Sequence, residues 1–143
     1  MGGPLLIYTS EAAYTNAIHR ALAKHTAEDV DIWKIHDTFA GGVPDAVYFG
    51  RGSTLWVEYK YLKTLPKRET TAIDITKELS DNQQKWLERK HNLGHRTWVI
   101  VGTPKGSLIL KSMEWQTPLY AKDMEQALTI KQVTASIIEQ LRP

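Results

Sequence analysis

No cysteine occurs in the 143 residues, which excludes disulfides, thiolate zinc sites and a cysteine nucleophile together. A chain without them fits a reducing compartment, and a cytoplasmic location is expected. No apolar run approaches the roughly 18 residues that a membrane span needs. The start, Met1-Gly2-Gly3-Pro4-Leu5-Leu6-Ile7-Tyr8, lacks both the basic residues and the apolar length of a signal peptide, so no membrane partner is expected. Charge of one sign is also missing. The 18 Lys and Arg stand against 16 Asp and Glu, a net charge of +2, and composition alone does not mark a nucleic-acid binder. Repeats, low-complexity tracts, a nucleophile elbow and a dinucleotide fingerprint are absent as well. His91 and His95 are four apart, but the intervening Gly94 ends a helix and removes a two-His metal face. What remains is one domain, 1–143, whose 42% hydrophobic content is enough to bury a core without staples, with a helical extension at about 121–143.

The chain is organised around Gly41-Gly42-Val43-Pro44-Asp45-Ala46-Val47-Tyr48-Phe49 and Thr54-Leu55-Trp56-Val57-Glu58-Tyr59-Lys60. Two apolar strand patterns are joined by Gly50-Arg51-Gly52-Ser53, a link of hairpin length. Strand alternation puts Glu58 and Lys60 on one face and Leu55, Val57 and Tyr59 on the other. Asp45 opens the neighbouring strand, and pairing brings its carboxylate towards Glu58. Two close carboxylates repel, and one takes up a proton unless a divalent cation lets both stay ionised. The stretch therefore reads as a metal site. Pro44 suits a strand's first residue because it cannot donate to a ladder, and Gly41-Gly42 permits a close backbone approach to a metal or phosphate.

Around this centre the elements follow from local signals. Thr9 or Ser10 caps a helix whose stripe is Tyr14, Ile18 and Leu22, and Glu11 extends that stripe at its first turn. Val30–His36 reads as a strand; His36 and Asp37 fall near the site in sequence, and a lone His there is more often structural than a ligand. The segment from Tyr61 to Lys77 has weak periodicity and much positive charge and reads as a mobile loop. Ser80-Asp81-Asn82-Gln83 is a capping box for a helix running through Trp86 and Leu87 to Gly94, with the cap favoured as the role of Gln83 over a contact with the site. Thr97–Val101 is wholly apolar, as an interior strand is. Gly102–Ser107 has the wrong spacing for a P-loop and reads as a hairpin turn. Thr129-Ile130-Lys131-Gln132 is a second capping box, and Ile130, Val133, Ile137, Ile138 and Leu141 give the last helix a face for core packing.

Pro44-Asp45 followed by Glu58-Tyr59-Lys60 resembles the signature of the PD-(D/E)xK nuclease superfamily. The lead-in Gly41–Asp45 and the later Ser80–Leu87 are similar to the small phage and bacterial VRR-NUC group, phage resolvase-like proteins, within it. The resemblance spans roughly residues 5 to 112. It implies an α/β restriction-endonuclease-like sandwich with a central mixed four- or five-stranded sheet flanked by helices. It also implies Mg²⁺, with Mn²⁺ as its substitute, held by Asp45, Glu58, the backbone carbonyl of Tyr59 and Glu11. Lys60 then orients or deprotonates water, or stabilises phosphate charge; Asp45, Glu58, Lys60 and Glu11 form the catalytic set. The implied reaction is endonucleolytic hydrolysis of DNA, of branched DNA such as a Holliday junction first and of a specific duplex sequence, as homing and restriction enzymes do, second. A non-catalytic DNA-binding module is the reading from another class. Lys63, Lys67, Arg68, Gln83, Lys85 and Arg89 are the expected DNA contacts, a homodimer the expected assembly, and a bacterial or phage-infected cell the expected setting. Alanine at Asp45, Glu58 or Lys60 is expected to abolish cleavage and leave the fold intact.

Overall fold

The computed structural model describes residues 7–25, 30–35 and 41–143. Its elements run α1 (Glu11–Ala23), β1 (Asp31–Lys34), β2 (Ala46–Gly50), β3 (Ser53–Tyr61), a 3-10 turn (Ile75–Glu78), α2 (Asp81–Asn92), β4 (Thr97–Thr103) and β5 (Gly106–Lys111). Two further 3-10 turns (Glu114–Gln116 and Ala121–Gln126) lead to α3 (Ile130–Leu141). The five strands form one sheet in the order β1-β2-β3-β4-β5. β3 and β4 pair in parallel, with α2 as their crossover, and the other neighbours are antiparallel hairpins. This is the mixed α/β sandwich that the sequence implied.

Each face of the sheet buries its own cluster. On one, Tyr14, Ile18 and Leu22 of α1 and Val133, Ile137 and Leu141 of α3 cover Tyr48, Leu55, Val57 and Tyr59. Polar side chains in this layer bond one another: the Tyr14 hydroxyl bonds the Ser107 hydroxyl at 2.6 Å, and His19 Nε2, the Tyr48 hydroxyl and the Tyr59 hydroxyl form a chain of 2.7 and 2.6 Å, while His19 Nδ1 is buried with no partner. Burial lowers the His19 pKa to about 4, with the nearby Lys34 charge adding to it, so the ring is neutral in this chain. Gly102 is where the Tyr14 ring lies on the sheet, since a Cβ there would stand 2.5 Å from the ring. The last helix is thus part of the core.

The other face is covered by α2 through Leu87 and by the irregular segments through Ile75, Leu79, Trp115 and Met124. The stretch after β3 differs from the mobile loop expected of it. Ile73 bridges Leu119, Ile75 is fully buried, and the Asp74 side chain caps the 3-10 turn at Thr76 N. Two isoleucines two apart are too short a signal to stand out in a stretch rich in threonine and charge. The first strand is shorter than expected, Asp31–Lys34, and His36 and Asp37 lie outside the described residues. No helix among the described residues is long and apolar enough to cross a membrane.

Candidate metal centre

β3 outruns its partner. The β2–β3 ladder ends at Ala46 opposite Val57, because Pro44 and the glycines before it cannot extend β2. On the other side β3 stays paired with β4 through Tyr61. The amides of Tyr59 and Tyr61 therefore face an edge with no strand on it, and two carboxylates take the missing partner's place. Tyr59 N donates to Asp45 Oδ2 at 2.9 Å, and Tyr61 N donates to Glu11 Oε1 at 3.2 Å. Within an extended strand a residue's N–H and C=O point the same way, so the Tyr59 carbonyl opens onto this edge too.

Continuing the register by one step sets Asp45 opposite Glu58. Glu58 is 2% exposed, and its Oε2 accepts from Gln83 Nε2 at 2.9 Å and pairs with Lys60 Nζ at 3.3 Å. Its other oxygen, Oε1, is buried with no partner. Burial, and then the Asp45 charge, push its pKa up to about 8, against the opposing pull of Lys60. Glu11 is exposed and does not extend the buried stripe; its carboxylate leans over the end of β3. Desolvation raises its pKa, opposed by the Lys60 charge and the Tyr61 amide.

Gln83 fills both of the roles weighed for it. Its Oε1 accepts from Ser80 N at 2.9 Å in the capping box, while its Nε2 holds Glu58. An amide has both an acceptor and donors, so the roles do not compete. The glycine pair fixes α2 against the site. Gly41 and Gly42 have φ of 67° and 79°, and a Cβ on Gly42 would sit 2.4 Å from Asn82 O. The close approach expected of these glycines is to the first turn of α2.

Of the residues expected to contact DNA, Gln83 alone joins the carboxylates among the described residues. Lys63, Lys67 and Arg68 are exposed on the segment after β3, and Lys85 and Arg89 are exposed on α2. Sequence reasoning missed the aromatic side chains beside the centre. The Trp56 ring packs 5.1 Å from that of Trp86, and Lys90 Nζ stands 5.4 Å from the centre of Trp86. Strand alternation at Trp56, two before Glu58, carried that signal.

The chain folds like a junction resolvase. Superposition on Hjc of Archaeoglobus fulgidus, a Holliday junction resolvase from an archaeal hyperthermophile, gives a TM-score of 0.51 at 16% identity, over 84% of this chain and 98% of Hjc. At that identity the likeness to Hjc is one of fold. No known family profile matches the sequence, and no curated protein is significantly similar to it.

Whether these residues suit a divalent cation is a question of donor chemistry. No group of three His, Cys, Asp or Glu among the described residues is close enough to form a ligand cluster by side chains alone. Asp45, the orphaned Glu58 Oε1 and the Tyr59 carbonyl instead make an all-oxygen set of two carboxylates and one main-chain atom, completed by water in the manner of Mg²⁺. The set fits.

Proposed function

We propose that the protein is a Mg²⁺-dependent endonuclease that hydrolyses DNA phosphodiester bonds, with branched DNA as its substrate and a homodimer as its working form. One observation carries the reading: a carboxylate buried to 2% exposure, with one oxygen unpartnered, lying opposite a second carboxylate. Burying a charge without full pairing costs several kcal/mol, and such a cost is tolerated where a bound ion repays it.

In this reading Asp45 and Glu58 offer oxygens to the cation, and the Tyr59 carbonyl adds a third donor. Gln83 and Lys60 hold the Glu58 side chain by Oε2, which leaves Oε1 as the oxygen that would serve a cation. A bound Mg²⁺ or Mn²⁺ polarises the scissile phosphate and lowers the pKa of the attacking water. Lys60, joined to Glu58 at 3.3 Å, is placed to orient that water or to donate to a phosphate oxygen as charge builds. Glu11 bounds the site on the α1 side. The basic side chains Lys63, Lys67, Arg68, Lys85 and Arg89 supply phosphate contacts that hold DNA without reading its sequence.

The likeness in fold to Hjc supports the branched substrate, and symmetric cutting of two strands calls for two copies of the site. The test is incubation with linear duplex, supercoiled plasmid and a synthetic four-way junction, each with Mg²⁺, Mn²⁺ or chelator. Metal-dependent cutting with preference for the junction is expected. Discrete bands from linear duplex select a site-specific enzyme. Binding without cleavage in any metal leaves a DNA-binding module.

A further inference from the structure

We infer that the exposed aromatic strip beside Asp45 and Glu58 stacks unpaired bases next to the scissile phosphate, which makes DNA with a locally single-stranded segment the substrate class; this rests on the nuclease reading. The strip follows from register. Trp33 of β1, Val47 of β2 and Trp56 of β3 lie in one cross-strand row. Alternation puts this row on the same face as Asp45, Glu58 and Lys60, since the intervening Ile32, Tyr48, Leu55 and Val57 pack on the opposite cluster. Two residues along each strand separate it from the carboxylates, about 6.6 Å.

This face, with Phe49 in the row beyond, carries more aromatic surface than the core uses. Trp33 is 63% exposed and Phe49 36%, and their rings meet edge to face with centroids 6.0 Å apart. Beyond buried Val47, Trp56 and Trp86 are half-buried against each other, and Lys90 stands over Trp86. Asp31, opposite Phe49, is the acidic residue of β1 on this face. An extended DNA strand with a phosphate at the carboxylates and its next bases over Trp33 and Phe49 uses this exposed pair. Aromatic faces accept any base, and Lys90 and Lys85 of α2 meet the backbone charge. Paired bases present only their edges to a protein surface, so a duplex leaves the strip unused.

A second copy is the rival occupant. Trp33 and Phe49 together offer on the order of 200 Å², far below the roughly 800 Å² per partner of a standard interface. The other large exposed apolar side chains among the described residues, Ile7 and Leu93, lie on separate elements.

The experiment compares the full chain with Trp33→Ala and Phe49→Ala, their folding checked by circular dichroism. Affinity is read in EDTA by fluorescence anisotropy for oligo(dT), a linear duplex and a forked duplex. A 2-aminopurine at the fork reports stacking. Trp33→Ala is expected to weaken oligo(dT) and fork binding about tenfold and to lose the 2-aminopurine quenching, with duplex affinity unchanged. Phe49→Ala is expected to have a smaller effect of the same kind. Equal losses on all three DNAs, no loss on any, or conversion of a dimer to a monomer by Trp33→Ala in sedimentation overturns the inference. Intact stacking in a protein that cuts no DNA sinks the nuclease reading alone, and cleavage without stacking sinks this inference alone.

Discussion

The two halves of β3 are built by different rules. From Ser53 to Val57 the strand is paired with β2, joined by β4 on its other side from Trp56 onward, and Leu55 and Val57 are fully buried. From Glu58 to Tyr61 one neighbour is gone, and carboxylates from a strand start and a helix start stand in for it. In the first half apolar packing supplies the stability. In the second, the groups that complete the strand are those that the nuclease reading needs for chemistry. In that reading structure and function compete for the same carboxylates there, and in the first half they do not.

Breaking the second half is expected to have the largest effect. Asp45→Asn keeps an oxygen for the Tyr59 amide but removes the charge, and should lower Mg²⁺-dependent nicking of plasmid by about 10³-fold with little change in thermal stability. Asp45→Ala leaves that amide unpaired, at a cost of about 1–3 kcal/mol, so the clean separation of activity from folding expected of an alanine is not to be had here. Sharpening the contrast next is Glu58→Gln. Because the Glu58 pKa is raised in the folded state, its burial is tolerated below the unfolded value near 4.5 and destabilises progressively as pH rises towards 8. Urea unfolding in EDTA should show stability falling between pH 5 and pH 8, on the order of 4 kcal/mol over the full shift. The Gln variant should flatten that slope; an unchanged slope would remove Glu58 as its cause.

Val57→Ala probes the first half, with an expected loss of about 2 kcal/mol of stability, read from the shift in denaturant midpoint, and unaltered turnover per folded molecule. Gly42→Ala links the halves by pushing the approach to Asp45 off Asn82, and a similar loss of stability should come with a drop in cleavage. Smallest of all, Lys67→Ala or Arg68→Ala should weaken duplex binding about equally for all sequences and lower the salt-dependence slope by about 1 per lost phosphate contact.

The legible part of the sequence follows the same division. Alternation at Leu55, Val57 and Tyr59, the Gly50–Ser53 turn and the capping boxes at Ser80 and Thr129 are local signals, and the strands and helices they announce are present. The nearness of Asp45 to Glu58 was legible because a hairpin fixes register across few residues. Glu11 reaching Tyr61 and Gly42 resting on Asn82 join residues forty or more apart. Such contacts depend on how α1 and α2 dock, and no periodicity encodes that. Ile73 and Ile75 were hidden for a different reason, since two buried positions in a polar segment leave no pattern to count.

The stand-in carboxylates have a mechanical consequence. While Asp45 Oδ2 holds the Tyr59 amide and Glu11 Oε1 holds the Tyr61 amide, the far end of β3 is pinned by groups that a cation also attracts. In the nuclease reading, loading the ion would shift a load on the backbone, and the exchange of those two amide protons with solvent would gauge occupancy. Hydrogen exchange at Tyr59 and Tyr61 should respond to Mg²⁺ titration, while exchange at Val57, inside the ladder, stays still.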